Sequence, residues 1–185
     1  MIDRDQDGNI KTGATADNML QWFDNLLKKV PGLETYRGRE RLRDQDKLLR
    51  EHTVKKLREI KFSIEQIKKA LVTAGKLEGL MPLENLTSTI DRISNKHKYD
   101  AYGFSGLFDP NKVEEAQLGR LYEEDVKILK SVEELALKTA DFSASAANEQ
   151  SMKEGIASME KLLADLERLI QDRRDVLRQI DSKAL

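Results

Sequence analysis

The chain has 185 residues, with 32 Lys/Arg against 33 Asp/Glu and a net charge of -1, so no overall field draws it to nucleic acid or anionic lipid. Without cysteine it can form no disulfide, no thiolate nucleophile and no cysteine-ligated zinc site. Hydrophobic residues at 39% and charged residues at 35% suit long amphipathic helices better than a compact α/β enzyme.

The first residues, Met-Ile-Asp-Arg-Asp, lack the basic and apolar regions of a signal peptide, and no apolar run is long enough to span a bilayer, so a cytoplasmic protein is expected. Counted from Asp3, residues 3–14 resemble the start of an EF-hand calcium loop. Asp3, Asp5 and Asp7 take the first ligand positions, Gly8 the turn and Ile10 the apolar eighth position. Ala14 stands where a bidentate Glu should close the shell, and only two residues precede the loop. The simpler expectation for residues 1–16 is a flexible acidic lead-in; weak calcium binding by Asp3, Asp5 and Asp7 is the alternative.

Asp17 suits an N-cap, and Met19, Phe23, Leu26 and Leu27 then share one face of a short helix that Val30-Pro31-Gly32 stops. From Glu34 to Ala74 only Gly38 interrupts a long helical pattern. Leu57, Ile60, Ile64, Ile67 and Leu71 repeat at alternating intervals of three and four, the spacing of a coiled-coil seam. Upstream the same register meets Thr53, Arg50, Asp46 and Arg43, which predicts a half that is lightly covered or partly free. Arg37, Arg39, Arg41 and Arg43 split into two stripes interleaved with acids, a salt-bridged solvated face rather than a phosphate-binding one. His52 and His97 are each isolated in sequence, without the spacing of a metal or proton-relay site.

Pro82 opens a third, short helix with Leu83, Leu86, Ile90 and Ile93 on its seam. The stretch 99–108 is then unlike its surroundings: Tyr99, Tyr102, Phe104 and Phe108 lie in it with Gly103 and Gly106. It reads as an aromatic connector in which Tyr102, Phe104, Leu107 and Phe108 pack onto the helices, or alternatively form a partner-binding patch. Asp109-Pro110 begins a fourth helix, whose seam runs from Leu118 to Phe142 and includes Asp125. The last helix alternates four and three from Met152 to Ala184, with Gly155 as a small propensity cost and Arg173 on the seam. Asp125 and Arg173 are candidates for selecting register, although Arg173 could instead lay its stem along the seam and place its head in solvent, which is the simpler expectation.

The fold class expected is all-α: an elongated antiparallel helical bundle or coiled coil of five helices, three long and two short. It forms one domain over 17–185, with halves 17–98 and 109–185 joined by the connector. No phosphate-binding glycine loop, nucleophile elbow or Glu-x-x-His pair is present, so no enzyme activity and no cofactor are expected. The functional expectation is a helical scaffold or adaptor working through protein–protein contacts, self-association included. A calcium-responsive helical protein and a membrane-surface protein are the alternatives. The last is disfavoured because the polar faces mix both charge signs.

Overall fold

In the computed structural model, residues 42–100, 115–145 and 148–184 are described, and all that is regular in them is helical. Four helices run in chain order: α1 Leu42–Thr73, α2 Leu80–Lys98, α3 Glu115–Ser145 and α4 Glu149–Ala184. The short helix expected over residues 18–29 lies outside the described residues, so the expected count of five meets four here.

Each terminus has a local cause. At the end of α1, Gly75 adopts φ 70°, and its N–H donates to the Val72 carbonyl at 3.0 Å while Lys76 N–H donates to that of Leu71 at 2.9 Å. These paired bonds satisfy the last carbonyls, and the left-handed turn they need falls on the residue type that adopts it most easily. Helix α2 begins at Leu80, two residues before the expected start at Pro82. Pro82 is tolerated there because first-turn N–H groups have no intrahelical acceptor. Asn148 caps α4, its Oδ1 accepting from the N–H groups of Gln150 (2.9 Å) and Ser151 (3.2 Å).

The helices pack as a bundle. Contacts join α1 to α2, α1 to α3, α2 to α4 and α3 to α4, so the ring order is α1–α2–α4–α3. The two hairpins, α1–α2 and α3–α4, are each antiparallel, as their short connections require. Across the hairpins, α2 and α4 run parallel: Gly79 lies against Met152, Arg92 pairs with Glu167, and Asp100 with Arg174. The antiparallel packing expected from the sequence is thus present in both hairpins.

The 3–4 seams meet along the axis. Leu57, Ile64, Leu83, Ile93, Leu135, Met159, Leu166 and Ile170 are among the side chains fully removed from solvent. Burying each large aliphatic group contributes about 1.5–3 kcal/mol. Gly155, expected only as a local weakness, has a packing role: a Cβ there would collide with the buried Phe142 ring. No helix among the described residues is long and apolar enough to cross a membrane.

Candidate functional site

Toward the Lys98 end of α2, buried polar or charged residues interrupt the aliphatic seam on all four helices. In α1 the residues that continue the seam upstream of Leu57 are Thr53, Arg50 and Asp46, and all three are buried. The expectation of a lightly covered or free half therefore fails for this stretch. These positions are polar because they meet polar partners, not water.

Arg173 on α4 is the centre of that layer. Its relative exposure is 0%, so the head does not reach solvent, contrary to the simpler expectation. Its Nε donates to Asp125 Oδ1 at 2.6 Å and its Nη2 to Asp46 Oδ1 at 2.5 Å, linking α4 to α3 and α1. The other oxygen of Asp46 accepts from Arg50 Nε at 2.9 Å and Nη2 at 2.7 Å. Arg50 also donates from Nη1 to the Lys98 carbonyl at 2.6 Å, placing a cation at the C-terminus of α2. Burial alone would lower the Arg173 pKa, but the Asp125 and Asp46 carboxylates outweigh it and raise the guanidinium above its ordinary value. Burial raises the Asp125 carboxyl, and Arg173 opposes that rise.

Three further polar groups of α2 and its C-cap face this layer. His97 and Asp100 follow Ile90 and Ile93 on the same 3–4 register, Ser94 stands beside it, and all three are buried. Their order, Ser-His-Asp, invites comparison with a catalytic triad, but the hydrogen bonds of one are absent. Ser94 Oγ, His97 Nδ1 and both Asp100 oxygens make no hydrogen bond among the described residues. A triad needs base and nucleophile in hydrogen-bond contact and open to substrate. His97 is instead enclosed. Burial first, then the Arg173 and Arg50 charges, hold its pKa well below 6.5 and keep the ring neutral. Asp100 Oδ1 lies 3.2 Å from Arg174 Nε. Burial raises the Asp100 carboxyl, against the pull of Arg174 and Arg173. Asp46, Asp100 and Asp125 thus face Arg50, Arg173 and Arg174, three charges of each sign. The layer neutralises itself and offers no uncompensated charge to a substrate.

The outer surface carries a different feature. Between the C-terminal half of α1 and the start of α2 lies an open groove of about 770 Å³ with Val72, Leu80 and Met81 on its apolar side and Glu65, Lys69 and Glu84 on its polar one. Val72 is 54% exposed and Met81 76%; Phe62, 65% exposed, stands nearby on α1 without lining the groove. Two ion pairs, Lys68–Glu84 and Lys61–Asp91, join the two helices alongside this surface. Lys68 bridges Glu65 and Glu84, and Lys61 lies 2.5 Å from Asp91.

Of the sequence-derived candidates, Asp125 and Arg173 are brought together. Asp3, Asp5 and Asp7, and the connector residues Tyr102, Phe104, Leu107 and Phe108, lie outside the described residues. No group of three His, Asp or Glu side chains able to hold a metal ion occurs among the described residues. Sequence reasoning missed His97 as part of the layer, although its spacing of four from Ile93 continues the α2 seam. Comparison with known proteins finds no matching family model, no matching curated protein and no matching solved structure.

Proposed function

We propose that the protein is a non-enzymatic, cytoplasmic helical scaffold or adaptor that acts through protein–protein contact. The observation that carries this reading is the pre-braced apolar groove of α1 and α2, with Val72 and Met81 more than half exposed beside exposed Phe62. Grouped apolar side chains on a water-facing surface are costly unless a partner covers them, and such patches mark interaction sites. The buried ionic layer supports the same reading from the other side, since its charges balance and its central groups, Arg173, Asp46 and Asp125, are buried. In this reading the coiled-coil seams make a rigid single-domain bundle over residues 17–185, completed by the helix expected at 18–29.

The test is chemical cross-linking and affinity capture with the full chain and with Met81→Glu. Met81 is exposed, so the variant should keep its helicity and melting point while losing the proteins cross-linked to the groove. If both forms capture the same set of proteins, or none, the groove is not the working surface.

A further inference from the structure

The outer surface of α1 carries a second 3–4 stripe, distinct from the core seam. Phe62, Glu65, Lys69 and Val72 follow one another at intervals of three, four and three, and Glu65 is the least exposed of them. A stripe of this spacing is how one helix presents a continuous edge to another. Its order is also symmetric about position 67. Turned end over end on a two-fold axis there, Phe62 falls opposite Val72 and Glu65 opposite Lys69. Apolar then meets apolar and acid meets base, twice over by symmetry.

We infer that this stripe is an isologous docking surface for a second copy of the chain, the two α1 helices packing antiparallel so that Phe62 of each copy enters the groove of the other. This rests on the scaffold reading above and names its partner.

Three observations carry it. First, knob and hole are separate on one molecule: Phe62 projects beside the groove but is not part of its lining, while Val72, Leu80 and Met81 are. Ten residues of helix place Phe62 and Val72 about 15 Å apart, so Phe62 cannot fill its own groove, whereas a two-fold mate can. Second, the charges at the centre are complementary only to a reversed copy of themselves. Lys69 forms no ion pair among the described residues, and Glu65 shares Lys68 with Glu84, which leaves its carboxylate room for a second donor. Third, the surface is held in shape before docking by the Lys61–Asp91 and Lys68–Glu84 bridges, so little ordering cost remains at association. Arg58 precedes the stripe and Lys76 follows it, past the end of α1, and both are exposed cations. There both side chains are at the rim, where solvent and salt screen them.

Sedimentation equilibrium of the full chain across the micromolar range tests the inference, with circular dichroism to verify that each surface variant stays folded. The wild type should dimerise reversibly. Phe62→Glu, Glu65→Lys and Lys69→Glu should each weaken self-association more than tenfold. An equimolar mixture of Glu65→Lys with Lys69→Glu should dimerise again, because each acid then faces a lysine of the other variant. A wild type that stays monomeric overturns the inference, and the scaffold reading is then decided by the capture experiment alone. Dimers indifferent to all three substitutions overturn the stripe while leaving a self-associating scaffold. Single variants that are monomeric and remain so when mixed overturn the antiparallel register.

Discussion

Arg173 donates to Asp46 across 127 residues of sequence at 2.5 Å, and neither side chain touches solvent to any useful extent. Because Asp125 holds the same guanidinium, one cation joins three helices. Placing charges in an apolar interior is expensive, and a buried network of this kind adds little net stability over well-packed aliphatic groups. Removing one member is another matter, since it strands the others. Arg173→Met should therefore cost about 3–5 kcal/mol in urea unfolding, by leaving Asp125 unpaired in the core and Asp46 with Arg50 as its remaining partner. The double replacement of Asp125 and Arg173 by aliphatic residues, which leaves Asp46 paired with Arg50, should recover most of that loss. If Arg173→Met unfolds at the wild-type urea concentration, the layer is not a closed ionic network.

Gly155 and Phe142 make a second, purely steric relationship. On helix propensity alone Gly155→Ala should stabilise α4 by about 1 kcal/mol. The added methyl would enter the volume of the Phe142 ring, which is 2% exposed. Overpacking of this kind costs about 1–3 kcal/mol and should win, giving a net loss in thermal unfolding. Phe142→Leu combined with Gly155→Ala should lose less than the two single changes added together. Simple additivity would mean that the ring and the glycine do not share a contact.

How much of this was legible in the sequence differs from element to element. The 3–4 spacing of Leu57 to Leu71, Leu83 to Ile93 and Met152 to Ile180 specified helices, hairpin partners and core faces, because one periodicity governs both local structure and burial. The same register also reached Asp46, Arg50, Asp125, His97 and Arg173. Each of them, taken within its own helix, looks like an interruption of the seam or a solvated residue. Their meaning lies in the axial alignment of four helices, which puts acids from α1 and α3 at the height of arginines from α1 and α4. A single helix does not reveal that height. The groove was hidden for a related reason: its walls come from both helices of the α1–α2 hairpin, and Val72 and Met81 are unremarkable residues until those helices are rotated into place.

The ion pairs on the outside should behave unlike the inner layer. Arg92 on α2 pairs with Glu167 on α4, with side-chain exposures of 56% and 31%. The Glu167 carboxylate raises the Arg92 pKa, and Arg92 lowers that of Glu167, as a hydrogen-bonded pair requires. Solvent screening and the entropy of two long side chains leave such a pair with about 0.2–1 kcal/mol. Glu167→Gln should shift unfolding by no more than that, and by less again in high salt. A loss as large as that of Arg173→Met would show that the outer pair is far less hydrated than its exposure implies.

His97 gives the bundle a pH dependence whose sign follows from its burial. The ring sits at the end of α2, with Arg50 facing it from α1, Arg173 from α4 and Asp100 one turn further on. Desolvation and the two arginines lower its folded pKa well below the ordinary 6.5. Above 6.5 the ring is neutral both folded and unfolded, and its contribution is fully present. As pH falls below 6.5 the unfolded chain takes up a proton that the folded chain refuses, so stability drops by up to about 1.4 kcal/mol per pH unit until the folded pKa is reached. His52, lowered by partial burial and by Lys56 and Lys55, adds a slope of the same sign. Asp100 and Asp125 act the other way. Their folded pKa values are raised above 3.8, so the stability they contribute is present below 3.8 and is lost as pH rises through the folded values. The comparison that isolates His97 is urea unfolding of the wild type and of His97→Leu between about pH 7 and about pH 5. The wild type should lose stability steeply over that interval, and the variant should keep only the shallower slope left by the other groups. Equal slopes in the two proteins would mean that His97 accepts its proton within the folded bundle, and that the arginines around it do not hold the ring neutral.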